Sequence, residues 1–238
     1  MKILAIDCSA TPASAAVLED GVVRSFAYTN IGLTHSQTLI PMVNSILSNA
    51  GYTLEQMDQF AINAGPGSFT GVRIGVAALK GLTLFRGDCI FPVSTLESMA
   101  YLYSGVKDCI VCGAMDARRK QVYTACFEIA GSAVTRLTED SAISIEQLGE
   151  QLLQYSKPIV LVGDGAELCY NSLREKLGNL ELAPQPLRFQ NAVGVGLCAE
   201  AKAAAGAAPV SSDQLLPVYL RAPQAERELK RKQQSKNQ

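Results

Sequence analysis

The sequence predicts an α/β protein in which one structural plan is used twice. The first half opens on two apolar runs joined like a hairpin and then alternates helical and strand-like segments, the pattern of a sheet with flanking helices. The second half repeats the opening, with apolar runs, an acidic strand end and a turn glycine at nearly the same offsets. Hydrophobic residues make up 48% of the 238 positions and charged residues 18%, enough apolar side chains for a folded core in each half.

The elements follow in order. Residues 3–6 form a short apolar run that ends in the turn-forming Asp7-Cys8-Ser9. Residues 14–18 form the next, and Asp20-Gly21 mark a hairpin turn before Val22-Val23. Residues 34–49 have helical spacing, with Leu39, Val43, Ile46 and Leu47 on one face and Gly51 where a C-cap glycine belongs. A strand at 60–64, a loop at 65–70, a helix at 71–85, a strand at 89–93 and a helix at 96–103 complete the first half. In the second half residues 110–115 are apolar, Asp116 ends the run, 122–127 make the return strand and Gly131 turns the chain. These positions answer to Asp7, 15–18 and Gly21. Helical patterns at 145–155 and 167–177 then enclose a strand at 159–162.

Net charge is −1, so the chain as a whole does not attract nucleic acid, and phosphate contacts need a partner or a local patch. The start, MKILAIDCSA, runs straight into a strand pattern without a signal-peptide core, and polar residues interrupt the other apolar runs. Seven scattered cysteines suit reduced thiols, so a soluble cytoplasmic protein without a membrane span is expected. Cys109 and Cys112 have the spacing of redox and zinc sites. Within a strand they point to opposite faces, and no second such pair exists, so a structural role is expected.

The loop Gly65-Pro66-Gly67-Ser68-Phe69-Thr70-Gly71 lies between a strand and a helix. Its glycines permit close backbone approach, and Ser68 or Thr70 is placed to cap the helix. Helix starts suit anions, yet no Lys-Ser/Thr pair follows, and Thr70 stands where a dinucleotide loop needs its third glycine. On chemistry alone a tight strand–helix connection is favoured over a phosphate cradle. Gly71, Gly75 and Ala78 then share one helix face, continued by Leu82. Interior glycines cost about 1 kcal/mol each against alanine, which another backbone in close approach explains. The expected neighbour is a second helix, either internal or a partner's.

Five spaced motifs together resemble the TsaB family: residues 3–7; His35-Ser36 before Leu39-Ile40-Pro41; residues 65–75; Asp116-Ala117-Arg118-Arg119 with Val122-Tyr123; and Pro217-Val218-Tyr219-Leu220-Arg221. The resemblance covers most of the chain. It implies an actin/Hsp70/sugar-kinase-like fold of two duplicated, ribonuclease-H-like α/β subdomains, with mixed sheets and flanking helices. The expected divisions are 1–104, a reduced second subdomain at 105–191, a helix and extended piece at 192–222 packing back on the first, and a basic disordered tail at 223–238.

The resemblance also implies a non-catalytic subunit that pairs with its catalytic paralogue TsaD, which transfers threonylcarbamoyl from threonylcarbamoyl-AMP to tRNA. The P-loop ATPase TsaE joins the pair, tRNA is met mainly through the complex, and the chain alone forms a homodimer. TsaD carries two metal-binding histidines four apart, and Thr95 and Met99 replace them here, so no metal is expected. The interface set is His35, Leu39, Val43, Ile46, Gly71, Gly75, Ala78 and Leu82. For His35, the only histidine, a capping or interface role is favoured over that of ligand or base.

Asp7, Ser9, Asp116, Gly163 and Gly165 make a candidate vestigial nucleotide site, weakly taking ATP or ADP, since hairpins at such positions approach ATP phosphates in sugar-kinase-like folds. Acidic strand ends are equally common as turn formers, and both readings stand. Arg118 and Arg119 are read as phosphate ligands or as surface ion pairs; the basic tail is read as an RNA contact or a solvated run. The rival functions are an ATP-using kinase of the same fold and a peptidase. A single histidine and the lack of a Gly-x-Ser-x-Gly elbow weaken the latter.

Overall fold

The computed structural model describes residues 1–32 and 34–221. The tail expected at 223–238 lies outside them. The first half runs β1 (Lys2–Asp7), β2 (Ala13–Glu19), β3 (Val22–Thr29), α1 (His35–Ala50), a 3-10 turn (Leu54–Gln56), β4 (Gln59–Gly65), α2 (Phe69–Leu82), β5 (Ile90–Ser94) and α3 (Thr95–Tyr101). The second runs β6 (Cys109–Asp116), β7 (Gln121–Ala130), β8 (Ala133–Arg136), β9 (Ser141–Ser144), α4 (Ile145–Leu152), β10 (Ile159–Val162), α5 (Ala166–Leu173), β11 (Leu180–Leu182), α6 (Gln185–Arg188) and α7 (Ala192–Ala204).

Two sheets result, with strand orders β3-β2-β1-β4-β5 and β8-β7-β6-β10-β11, and β9 also pairs with β7. In both, a hairpin precedes two parallel crossovers, so the two halves share one topology, and the duplication read from the sequence is real.

Strand alternation sets the layers. Leu4 and Ile6 of β1 join the core formed with Leu39, Val43 and Ile46 of α1 and Val72, Val76 and Leu79 of α2. Ile3 and Ala5 face the other way, into a cluster with Ala192, Val195, Cys198 and Ala199 of α7. In β6, Ile110, Cys112 and Ala114 pack with α4 and α5, whereas Cys109, Val111 and Met115 pack with Leu96 and Met99 of α3. Helices α3 and α7 thus lie between the sheets, and they touch closely where a Cβ on Gly194 would overlap the Ser98 carbonyl. Cys109 and Cys112 occupy opposite faces as expected, and all seven cysteines are buried and unbonded.

Local rules explain the element ends. Gly51 closes α1 in the left-handed region (φ 72°), its N–H bonded to the Leu47 and Ser48 carbonyls. Ser68 caps α2, its hydroxyl accepting the Gly71 N–H at 3.2 Å. Helix α2 begins two residues before the expected start and stops at Leu82, and Phe85 stands outside with φ 66°. Strands β8, β9 and β11 were not anticipated. They are three or four residues long, too short to show a period.

Candidate functional site

The carboxyl ends of β1 and β6 and the loops after β4 and β10 meet across a cleft of about 430 Å³. Such clefts outside the carboxyl ends of parallel strands are where α/β folds bind ligands.

One wall is built by the β1–β2 turn. Asp7 is fully buried beneath it, and its Oδ1 accepts the Ser9 N–H at 3.0 Å and the Asn63 amide at 2.9 Å. Its Oδ2 has no partner, and burial pushes the carboxyl above the ordinary Asp range. Ser9 is also buried, lines the cleft, and leaves its hydroxyl unpartnered. His35 begins α1 and lies 2.8 Å through Nε2 from the Ala10 carbonyl; with the proton assigned to Nε2 it donates that bond and pins the turn. The Ser68 N–H bonds the Ser9 carbonyl at 2.6 Å, and Gly67 and Gly71 pack so tightly on Ser9 and Cys8 that a Cβ on either would overlap a carbonyl oxygen. The loop's glycines therefore serve a close strand–helix connection.

The other wall holds the acids Asp116 and Asp164 and the basic run Arg118, Arg119 and Lys120. Asp116 Oδ1 accepts the Arg118 N–H at 2.7 Å, and Asp164 Oδ1 accepts the Asp116 N–H at 3.0 Å. Burial raises the pKa of Asp164. Arg118, Arg119 and Lys120 form a left-handed turn, with φ of 65°, 57° and 56°. Gly163, with φ 104°, and Gly165 pack against the Ala114 carbonyl and the Asp116 backbone.

A strap closes the cleft. The Val218 N–H bonds the Ala64 carbonyl at 2.7 Å, the Tyr219 ring lies 4.8 Å from that of Phe69, and Arg221 reaches across to the Ala117 carbonyl at 3.0 Å. Residues 218–221 thereby tie the two halves together. The sequence flagged these residues as a motif without showing that they bridge.

Of the candidate nucleotide set, Ser9 and Asp116 line the cleft, whereas Asp7 is sealed below and Gly163 and Gly165 lie behind the wall. The interface set needs a larger correction. Leu39, Val43 and Ile46 are core residues, and Gly71 and Gly75 face inward, Gly75 against Ile62 and Cys8. None of the five offers surface to a partner. Ala78 and Leu82 are partly buried on the same core, and His35 lines the cleft. The outward face of α2 carries Thr70, Arg73, Ile74, Ala77 and Gly81, with Leu84 and Phe85 just beyond, Phe85 95% exposed. The small-residue stripe was expected to meet a second helix; what comes close at Gly71 and Gly75 is instead Cys8 at the end of β1 and Ile62 of β4.

Comparison with known proteins is decisive at the family level. A family model described as TsaD, tRNA N6-adenosine threonylcarbamoyltransferase, matches residues 28–228. The tRNA threonylcarbamoyladenosine biosynthesis protein TsaB of Escherichia coli is 36% identical over 169 residues, covering 69% of this chain and 72% of that protein. The chain belongs to the TsaB family. TsaB of Bacillus subtilis is 30% identical over 178 residues, covering 75% of this chain and 77% of its own. A crystal structure from Pseudomonas aeruginosa, described as an uncharacterized protein similar to peptidase YeaZ, superposes with TM-score 0.80 at 27% identity over 92% of this chain and 99% of that one. The duplicated architecture is the actin/Hsp70/sugar-kinase-like fold.

The structure also places Thr95 and Met99, where the family resemblance implies a lost histidine pair. Thr95 and Met99 are fully buried on α3, and Met99 packs with Leu96, Val111 and Phe127 between the halves. Among the described residues, no three His, Cys, Asp or Glu side chains gather as a metal site. No described helix is long and apolar enough to cross a membrane.

Proposed function

We propose that this TsaB-family chain is a cytoplasmic, non-catalytic subunit that pairs with TsaD and supports threonylcarbamoyl transfer to tRNA, with TsaE joining the pair. One observation carries the non-catalytic part. Thr95 and Met99, which by the family resemblance stand where the catalytic paralogue has metal-binding histidines, are both fully buried, Met99 in the core between the halves. Neither side chain can move to a metal without opening that core, and threonine and methionine are poor ligands for iron or zinc. These residues do not fit a metal, and the chain's contribution is a surface.

The outward face of α2 is the surface that fits. Ile74 and Ala77 present an apolar, low-relief strip continued by Leu84 and Phe85, which supports docking of another helix. The same strip supports a homodimer when the partner is absent. Pairing of the purified chain with TsaD, measured by calorimetry, tests the assignment. Ala77→Arg is expected to weaken pairing by about tenfold or more while the thermal midpoint stays unchanged, because Ala77 is exposed. Unchanged affinity with a folded variant would remove α2 from the interface.

The cleft keeps a second reading alive. Ser9 and Asp116 line a cavity in a fold that includes nucleotide-binding proteins, and weak ATP or ADP binding there is testable by calorimetry on the isolated chain. Turnover of ATP by that chain would revive the kinase-like alternative.

A further inference from the structure

We propose that the β6–β7 turn, together with the strap beside it, forms a docking ridge for the phosphate backbone of RNA. The inference deepens the reading above, since it supplies this subunit with its own contact to the tRNA that the complex modifies.

The turn is the first observation. Three successive non-glycine residues, Arg118, Arg119 and Lys120, take left-handed φ values that such residues rarely adopt. Surrounding bonds hold them there. Asp116 accepts the Arg118 N–H, the Gln121 N–H reaches the Arg118 carbonyl at 3.2 Å, and the Ala117 N–H reaches the Gln121 carbonyl at 3.0 Å. Strain maintained in this way marks functional segments more often than idle ones. All three side chains are exposed, that of Arg118 by 85%.

Continuity is the second observation. Arg221 is fixed beside the turn by its bond to the Ala117 carbonyl. Tyr219, two residues earlier and 42% exposed, is backed by the Phe69 ring. Tyr219, Arg221 and Arg118 border the same cleft, and cations beside an exposed aromatic suit RNA, where phosphates meet guanidinium groups and unpaired bases stack on rings.

Charge placement is the third. Elsewhere on the second half most cations are paired: Lys107 with Glu181, Lys157 with Glu128, Arg136 with Glu97 and Asp140, and Arg188 with Glu167, while Arg174 and Lys176 stand apart at the end of α5 without an ion pair among the described residues. Arg119, Lys120 and Arg221 have no ion pair among the described residues, and Arg118 has only Asp116 at 3.4 Å. Asp164 lines the cleft beside them, its Oδ1 accepting the Asp116 N–H. Beyond Arg221 the sequence adds five cations against two acids, so within a chain of net charge −1 the preceding residues are acidic in sum, and the cluster Arg118, Arg119, Lys120 and Arg221 departs from that balance.

The test titrates the full chain with fluorescently labelled tRNA at several salt concentrations and follows anisotropy. Wild-type affinity should fall steeply with salt. The variant R118N/R119N/K120N, in which asparagine tolerates the left-handed turn, should bind about tenfold more weakly at low salt. Its log–log salt slope should be shallower by about 2, since each lost phosphate contact removes about 0.7–0.9. The variant K107N/K157N/R174N removes the same charge away from the ridge and should stay near wild type. Arg221→Ala, outside the turn, gives an independent loss should the triple variant misfold. If the ridge variants track the remote one, or wild type shows no salt-dependent binding, the ridge is wrong. Pairing with TsaD is measured on the same samples; its absence would sink the accessory reading and leave the RNA result standing.

Discussion

Asp7 shows how a single residue can work against the fold that contains it. The carboxyl is buried at the end of β1, one oxygen is unpartnered, and no cation offsets it among the described residues. Because its folded-state pKa is raised, the folded chain binds this proton more tightly than the unfolded one. Stability from this group is therefore complete below the ordinary Asp pKa and is lost as pH rises from there through the raised folded-state value. Asp7→Asn keeps an oxygen for Ser9 and Asn63 and removes the charge. It should raise stability near pH 7 by about 1 kcal/mol or more, about 2–4 °C per kcal/mol for a chain of this size. The gain should shrink toward pH 4, and melting curves across pH check this; a gain independent of pH would mean the charge is not its source. Gly75 makes the opposite case. It sits against Ile62 and Cys8, so Gly75→Arg would break the core and report nothing about an interface. In sequence, a glycine stripe on a helix says that something comes close; it does not say from which side.

At the scale of elements, the strong periodicities were legible and the weak ones were not. Helix α1 could be placed almost to the residue because four apolar positions and Gly51 agree. Strand β4 was equally clear from its continuous apolar run. Strand β3 reads as only Val22-Val23, yet it extends to Thr29. It is an edge strand whose large apolar residues Phe26 and Tyr28 lie on the exposed side while Ser25, Ala27 and Thr29 turn inward, so its hydrophobic pattern does not mark the buried face. The turn at Arg118–Lys120 was missed because left-handed turns are signalled by glycine or asparagine, and it has neither. The strap was visible as a motif, but its bridging role depends on contacts about a hundred residues apart in sequence. Arg221→Ala should cost about 1 kcal/mol by removing one hydrogen bond. It should also speed amide exchange in the β6–β7 turn, measured by mass spectrometry. Protection equal to wild type would show that the strap does not hold the halves together.

For the whole molecule, duplication was legible in the residues themselves, whereas the return of a late helix to the first half was expected only from the family resemblance. The second half reaches back through α7, which covers Ile3, Ala5, Ala16 and Leu18 of the first sheet and crosses α3 at Gly194. That dependence predicts that residues 1–104 alone expose an apolar sheet face and fail to melt cooperatively. Joining the segment 192–221 to them should restore a cooperative transition in circular dichroism. Gly194→Val, pushing a side chain into the Ser98 carbonyl, should destabilise the intact chain by roughly 1–3 kcal/mol. The candidate cleft followed from the duplication, since matched strand ends must face each other. Its contents did not, because burial of Asp7 and closure by the strap arise from packing between halves.

The measurement that bears most directly on the central claim is tRNA threonylcarbamoylation by purified TsaD and TsaE with the adenylate donor, with and without this chain. An accessory subunit predicts modification that depends on adding the chain and weakens with Ala77→Arg in proportion to lost pairing. Equal modification without the chain, at matched partner concentrations, would contradict the account.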